Sequence, residues 1–305
     1  MKMVILGSGI AASMAANYFN YLNPTIYTNF HTDHYAIMRV KNPSVGFLLK
    51  AKTKEIFISK AIWHNDQLYE KSNILLSNLY SLKVNDRINN RSINNMCSTE
   101  KRYLIDFNPT DKAIVDEIKR IGKKLIQTEH YLDEYDVCIN TLPLSYLLGI
   151  IDGGEYDVKL ESKNIYISRF ELNVESDVYQ TIYFPDGDFY TYRATIEKSV
   201  LIIESIKPVD ISEIKRIAGI FGLNYMDCIK RKVFEQNLGK IKPINETLRS
   251  KILCDLTEKY GVYSLGRFAT WRNIKADDLL KDLGRIHKMI EVAGDKYRMR
   301  LEGKI

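Results

Sequence analysis

The run MVIL at positions 3–6 is followed at once by GSGIAA, a Gly-x-Gly-x-x-Ala turn that leads into a helical pattern. Four apolar residues in a row read as a strand buried on both faces, the habit of parallel sheets. Gly7 then supplies a tight turn, Gly9 lets the backbone approach a pyrophosphate, and Ala12 keeps the helix close to the strand. Ala12, Ala15, Ala16, Phe19 and Leu22 recur at helical spacing and give that helix one apolar face. Its first turn, with Ile10 and Ala11, is placed to offer free N–H groups to phosphates. The same letters imitate a secretory signal peptide, with Lys2, an apolar centre and the small residues of ASMAA. Gly7 and Gly9 interrupt that centre and only one positive charge precedes it, which favours the dinucleotide reading. One half of the fingerprint is missing. The next strand, TIYTN, ends in Thr28 and Asn29 instead of an acid, so Thr28 is the residue left to meet a ribose hydroxyl.

At 305 residues, 45% hydrophobic and 27% charged, the chain can build one large domain or two interleaved ones. Forty-four basic against 38 acidic residues give a net charge of +6. This mildly basic balance suits phosphate-bearing ligands and leaves nucleic acid open as a partner, but there is no polycationic tail. Cys97, Cys138, Cys228 and Cys254 lie far apart, with no CxxC pair. Neither a zinc site nor a disulfide framework is indicated, and a reducing, cytoplasmic setting is expected. The apolar run LPLSYLLGII, 142–151, is too short to span a bilayer, so no membrane association is expected. The stretch HTDH at 31–34 reads as a hydrogen-bonding loop rather than a metal site, and no metal is expected.

Residues 261–290, GVYSLGRFATWRNIKADDLLKDLGRIHKMI, contain a strand, a loop with Gly266, Arg267 and Trp271, and a final helix. Asp277 or Asp278 is placed to cap that helix, and Leu279, Leu280, Leu283, Ile286, His287 and Ile290 form its buried stripe. This segment resembles the C-terminal flavin-binding motif of the glutathione-reductase-like FAD proteins, above all the UDP-galactopyranose mutases and the amine oxidase and protoporphyrinogen oxidase group. Gly266, Arg267, Phe268, Ala269, Trp271 and Asp277 carry the resemblance. It implies a non-covalently bound FAD, with the helix start by the flavin and Arg267 near flavin or substrate. DEYDVCINTLPL, 133–144, resembles the strand that leaves the FAD domain in these proteins and adds Thr141 to the cofactor set. The segment before it, DKAIVDEIKRIGKKLI, reads as a connecting helix. More loosely, HYAIMRVKNPSVGFLL, YSLKVNDRINNRSI and LGKIKPI are similar to phage-encoded FAD/NAD(P)-binding oxidoreductases.

Between these pieces lie NIYISRFELNV, QTIYFPDGDFYTYRATI and SVLIIES, which read as strands of an antiparallel sheet, with Asp186–Gly187 as a hairpin turn. DISE, with Asp210 and Glu213, has the pattern of a capping box, and that helix ends at Gly222. The expected fold is α/β, a Rossmann-like FAD-binding domain (1–60, 111–150, 251–305) carrying an inserted antiparallel-sheet substrate domain (61–110, 151–250). Arg193, flanked by Tyr190 and Tyr192, is expected to be buried against an anion, either the substrate or a protein carboxylate. Tyr192 and Lys240 join it as catalytic candidates, Lys240 on a loop shaped by Gly239 and Pro243. Lys83, Arg87 and Arg91, four residues apart, are the fallback anion site on one helical face. The resemblance implies an enzyme, an FAD-dependent oxidoreductase acting on a small-molecule or modified-nucleotide substrate. An amine- or amino-acid-modified nucleobase in phage DNA hypermodification is the favoured class. A flavin-dependent sugar-nucleotide mutase and a non-catalytic FAD-binding module are the alternatives. There is little room for a separate NAD(P)H domain.

Overall fold

The computed structural model describes residues 1–30, 38–89, 93–107, 112–154 and 156–301. The HTDH stretch and Arg91 lie outside the described residues. Two compact units are built: unit 1 from Met1–Lys54, Tyr103–Leu160 and Pro243–Ile305, and unit 2 from Glu55–Arg102 and Glu161–Lys242.

Unit 1 is organised by five parallel strands, β1 (Met3–Leu6), β2 (Thr25–Thr28), β3 (Ile114–Val115), β4 (Val137–Asn140) and β5 (Val262–Ser264). Their order across the sheet is β5-β4-β1-β2-β3, the 3-2-1-4-5 sequence of a doubly wound sheet read from the other edge. β1 is the central strand, with Met3 opposite Val137 on one side and Val4 opposite Thr25 on the other. The opening stretch is thus the central strand of the unit-1 sheet. All four residues of β1 and of β4 are buried, which is why both read as unbroken apolar runs.

The first helix, α1 (Ile10–Tyr18), and the last, α2 (Ala276–Leu301), share one apolar core. Met14, Ala15 and Phe19 meet Leu279, Leu283, Ile286 and Ile290 there. The expected connecting helix over 111–126 does not form. Its residues supply β3 and then the strands Ile118–Gly122 and Leu125–Thr128 of a small antiparallel sheet completed by Leu132–Glu134. Ile118, Ile121 and Ile126 turn inward, and Lys124, with φ +62°, makes the reversal between the strands. β-Branched residues tolerate this pleated arrangement better than a helix.

Unit 2 is a sheet ordered Cys228–Ile241, Ser162–Leu172, Val200–Ser205, Thr191–Glu197, Tyr179–Tyr183 and Lys52–His64. All neighbours are antiparallel except the last pair. Phe170, Leu201, Ile203, Ala194, Ile196 and Ile182 line one face, packed with Ile214 and Ile217 of the helix Ile211–Ile220. Asp210 caps that helix by accepting from the Glu213 N–H at 2.8 Å. The Glu213 carboxylate does not turn back on Asp210. It accepts from the backbone of Tyr190 and Thr191 at 3.1 and 2.7 Å, so the capping box is half made. Gly222, at φ +74°, follows the helix end. Lys240 is not on a loop: of LGKIKPI, residues 238–241 are strand and only Lys242, Pro243 and Ile244 lie beyond it. Lys240 sits at the end of the edge strand, where the pairing slips between Ile165–Gln236 and Lys163–Lys240.

Candidate functional site

The carboxyl ends of β1, β4 and β5 meet at one edge of the unit-1 sheet, at the switch point where an open α/β sheet receives ligands. Gly7 has φ +109° and its amide donates to Tyr27 O at 2.7 Å. A Cβ there would stand 2.3 Å from Thr141 Oγ1. Thr141 donates its hydroxyl to Leu6 O at 2.6 Å, which locks the turn after β4 onto the end of β1 and leaves its oxygen able to accept. Gly266, at φ +103°, passes so close to α1 that a Cβ would lie 3.0 Å from the Ala11 Cβ. The two ends of the chain are therefore fitted to each other at this edge.

Gly9 differs from these two glycines. It is the N-cap of α1 in extended conformation, with no side-chain cap, and a Cβ built on it meets, among the described residues and beyond its chain neighbours, nothing within 4 Å. The first-turn N–H groups, with Ile10 and Ala11 partly exposed and Ala12 buried, have no intrahelical acceptors. Ser13 Oγ and Ser264 Oγ are buried with no hydrogen-bond partner. Thr28 sits beside this turn, but its hydroxyl donates to Phe30 O at 2.7 Å and lies 3.3 Å from Ser8 Oγ. It is committed to the local turn, and Asn29 likewise accepts from Ile118 N.

After β5, Gly266 to Trp271 form one turn, closed by Thr270 N to Gly266 O at 3.0 Å. Trp271 is buried with φ +48°, and Arg267 lies over the Phe268 ring, 5.5 Å from its centre. Arg249, which sequence reasoning missed, is buried and holds this turn by donating to Thr270 O at 3.1 Å. Asp277 accepts from the backbone N–H groups of Lys41 and Asn42 at 2.9 and 2.8 Å with the same oxygen. It ties the last helix to the segment after Val40, while Asp278 accepts from Lys275 N and caps the helix start.

The unit-2 candidates Arg193, Tyr192 and Lys240 cluster around Glu204. The Arg193 guanidinium donates to both Glu204 oxygens, and Tyr192 donates to Oε1 at 3.2 Å. A register shift between Thr191 and Arg193 is what lets neighbouring residues 192 and 193 reach the same carboxylate. Lys240 Nζ stands 4.5 Å from the centre of the Tyr192 ring. Burial is the largest influence and works to raise the Glu204 pKa, but the Arg193 charge and hydrogen bonds, the Lys240 charge and the Tyr192 hydroxyl together outweigh it and hold the carboxyl below its usual range. Burial and Glu204 together push the Tyr192 hydroxyl well up. Of the two partners open to Arg193, the structure supplies the protein carboxylate. Glu204 was visible as the lone acid in SVLIIES.

Of the fallback site, Lys83 and Arg87 do not share a helical face. The helix Ile74–Asn85 ends at Asp86, before Arg87, and Lys83 Nζ donates at 2.7 Å to each of Phe184 O, Asp186 O and Thr191 O.

No protein-family model and no curated protein matches the sequence. Solved structures do. A reduced UDP-galactopyranose mutase is similar with a TM-score of 0.71 and 14% identity, over 95% of this chain and 94% of that one. The chain has an FAD-binding Rossmann-like fold. A CLA-producing fatty acid isomerase from P. acnes is similar at a TM-score of 0.62 and 12% identity, over 94% and 98% of the two chains. A protein described as a protoporphyrinogen oxidase from Exiguobacterium sp. gives 0.58 and 9%, over 94% and 98%. Among the described residues no helix is long and apolar enough to cross a membrane.

Proposed function

We propose that this protein is an FAD-dependent oxidoreductase that holds its cofactor at the carboxyl edge of the unit-1 sheet. The observation that carries this reading is Gly9. Among three glycines at that edge, two are backed by protein, and one, Gly9, faces no described residue within 4 Å of a Cβ at an uncapped helix start. A pyrophosphate fits there, because the free N–H groups of the first turn and the positive end of the helix favour anions. Gly7 and Ala12 shape the approach, Thr141 offers acceptor oxygen, and Gly266, Arg267 and Trp271 form the second wall. Asp277 serves as a strut and Thr28 as part of the turn.

When bound, the flavin supplies reversible two-electron chemistry, here assigned to oxidation of a C–N or C–C bond with oxygen or another acceptor closing the cycle. The favoured substrate class, an amine- or amino-acid-modified nucleobase in DNA hypermodification, is supported by the resemblance to phage-encoded oxidoreductases and the mildly basic charge. The Arg193–Glu204–Tyr192 cluster would then act through position and charge, with Glu204 fixing the guanidinium and orienting the Tyr192 hydroxyl. A second reading, a non-redox sugar-nucleotide mutase, is favoured by the 0.71 TM-score to the mutase.

The test is the absorption spectrum of the purified protein and chromatography of what denaturation releases. Intact FAD is the expected result; NAD(H) alone, or no nucleotide after reconstitution, refutes the cofactor. Substrate-dependent bleaching without oxygen supports oxidation, and turnover without net electron transfer supports the mutase.

A further inference from the structure

Cross-strand neighbours on one face of a sheet lie about 4.5–5.5 Å apart at Cβ, and like charges placed directly opposite repel. The pairing of Ser162–Leu172 with the edge strand Cys228–Ile241 contains two such pairs, Lys163 opposite Lys240 and Arg169 opposite Lys232. The first is neutralised. Lys163 makes an ion pair with Asp86, and Lys240 lies near Glu204. The second is compensated less. Neither Arg169 nor Lys232 makes a hydrogen bond or ion pair among the described residues, although Arg169 is half-buried, and the carboxylate their charges act on is shared with a third cation.

One carboxylate stands nearby, and it is occupied. Glu171 accepts from Lys230 Nζ at 2.8 Å, and that contact, with the charges of Lys230, Lys232 and Arg169 around it, lowers its pKa. Lys230 reaches Glu171 from a bulge in which residues 230 and 231 oppose Phe170 alone. Its φ of +47° is costly for a lysine. Arg231 is turned to the other face, donating to Ser168 Oγ and Val209 O at 3.3 and 3.2 Å. The strand thus spends strain to satisfy Glu171 with Lys230 and leaves two positive charges side by side at an open sheet edge.

We propose that Arg169 and Lys232 form a binding site for a phosphate monoester at the edge of the unit-2 sheet. Two cations without an ion pair of their own, beside a carboxylate held by Lys230, match the charge of about −1.5 to −2 on such a group at neutral pH. A guanidinium fork beside an ammonium suits its three terminal oxygens, where a carboxylate monoanion would leave one cation unpaired. The site is independent of the flavin edge in unit 1.

The probes are inorganic phosphate and phenyl phosphate, with acetate as the monoanion control, titrated by calorimetry into the protein as purified. Phosphate and phenyl phosphate should bind more tightly than acetate, and Arg169→Ala and Lys232→Ala should each weaken them about tenfold or more. Lys207→Ala, a charge change elsewhere on unit 2, should leave binding unaltered. Relief of repulsion supplies a second readout: in phosphate-free buffer Lys232→Ala should melt about 1–2 °C above the unaltered protein. Binding that survives both substitutions, as it would if phosphate went to the α1 N-terminus, overturns the proposal. So does the absence of binding to the unaltered protein, or a melting temperature that falls in Lys232→Ala.

Discussion

Gly7 and Gly9 stand two residues apart and are used in different ways. At Gly7 a side chain would require both a left-handed backbone and displacement of Thr141. Gly7→Ala should therefore cost about 1–3 kcal/mol of stability, read as a lowered denaturation midpoint, whether or not any nucleotide is present. An unchanged midpoint would mean the turn relaxes freely. Arg193 gives a second residue-scale prediction. Glu204→Gln leaves the guanidinium without a carboxylate, which in a fully buried pair costs 3–5 kcal/mol. Arg193 keeps 39% of its side-chain surface open, so solvent screening brings the expected loss down to about 2 kcal/mol. Arg193→Ala should cost a similar amount, because it strands the more buried Glu204. If Arg193→Ala keeps its melting temperature, Glu204 is not its principal partner. The sequence showed that Arg193 needed an anion, since aromatic and apolar neighbours surround it. It could not show which, because the partner is eleven residues away across a hairpin and depends on register.

Elements were most legible where burial imposes a simple pattern, as in β1, α1, β4 and α2. They were least legible between 111 and 134, where isoleucines at mixed spacing satisfy a helical period and a strand period alike. Short hairpins there turn at Gly122 and Lys124 without Asn-Gly or Asp-Gly chemistry. Asp186–Gly187, by contrast, lies in a wider connection, Phe184 to Tyr190, than a two-residue turn, and Lys83 is what organises it. From the last turn of the helix Ile74–Asn85 the Lys83 ammonium caps two carbonyls of that connection, Phe184 O and Asp186 O, and that of Thr191, where the next strand begins. Burial lowers its pKa from 10.5 to about 7. Between those values the unfolded chain holds a proton that the folded one has released, so Lys83 makes stability rise as pH climbs from about 7 towards 10.5. Lys83→Met should flatten that part of the profile and free the 184–190 connection to exchange its amides faster. An identical slope in the variant would show that Lys83 titrates normally.

Across the whole molecule, positions 7, 141 and 266 reach one sheet edge only because β1, β4 and β5 are neighbours, which no local pattern encodes. The passage between units is equally silent in sequence. Two of its four crossings fall inside the strands Lys52–His64 and Thr99–Asp106, where no linker composition marks them. The assembled edge nevertheless makes a prediction about global stability. A nucleotide that binds only the folded chain at a hundred times its Kd adds about 2.7 kcal/mol, which for units of this size corresponds to about 5–10 °C. FAD added to flavin-free protein should raise the melting temperature by that order. Gly9→Val should abolish the rise while melting, without FAD, close to the unaltered protein, since among the described residues, chain neighbours aside, no atom lies within 4 Å of the new Cβ. The pairing of results locates the site. A variant that melts low would place Gly9 in the scaffold. One that still responds fully to FAD would move the pyrophosphate away from α1, leaving the convergence of the three turns as a matter of sheet closure alone.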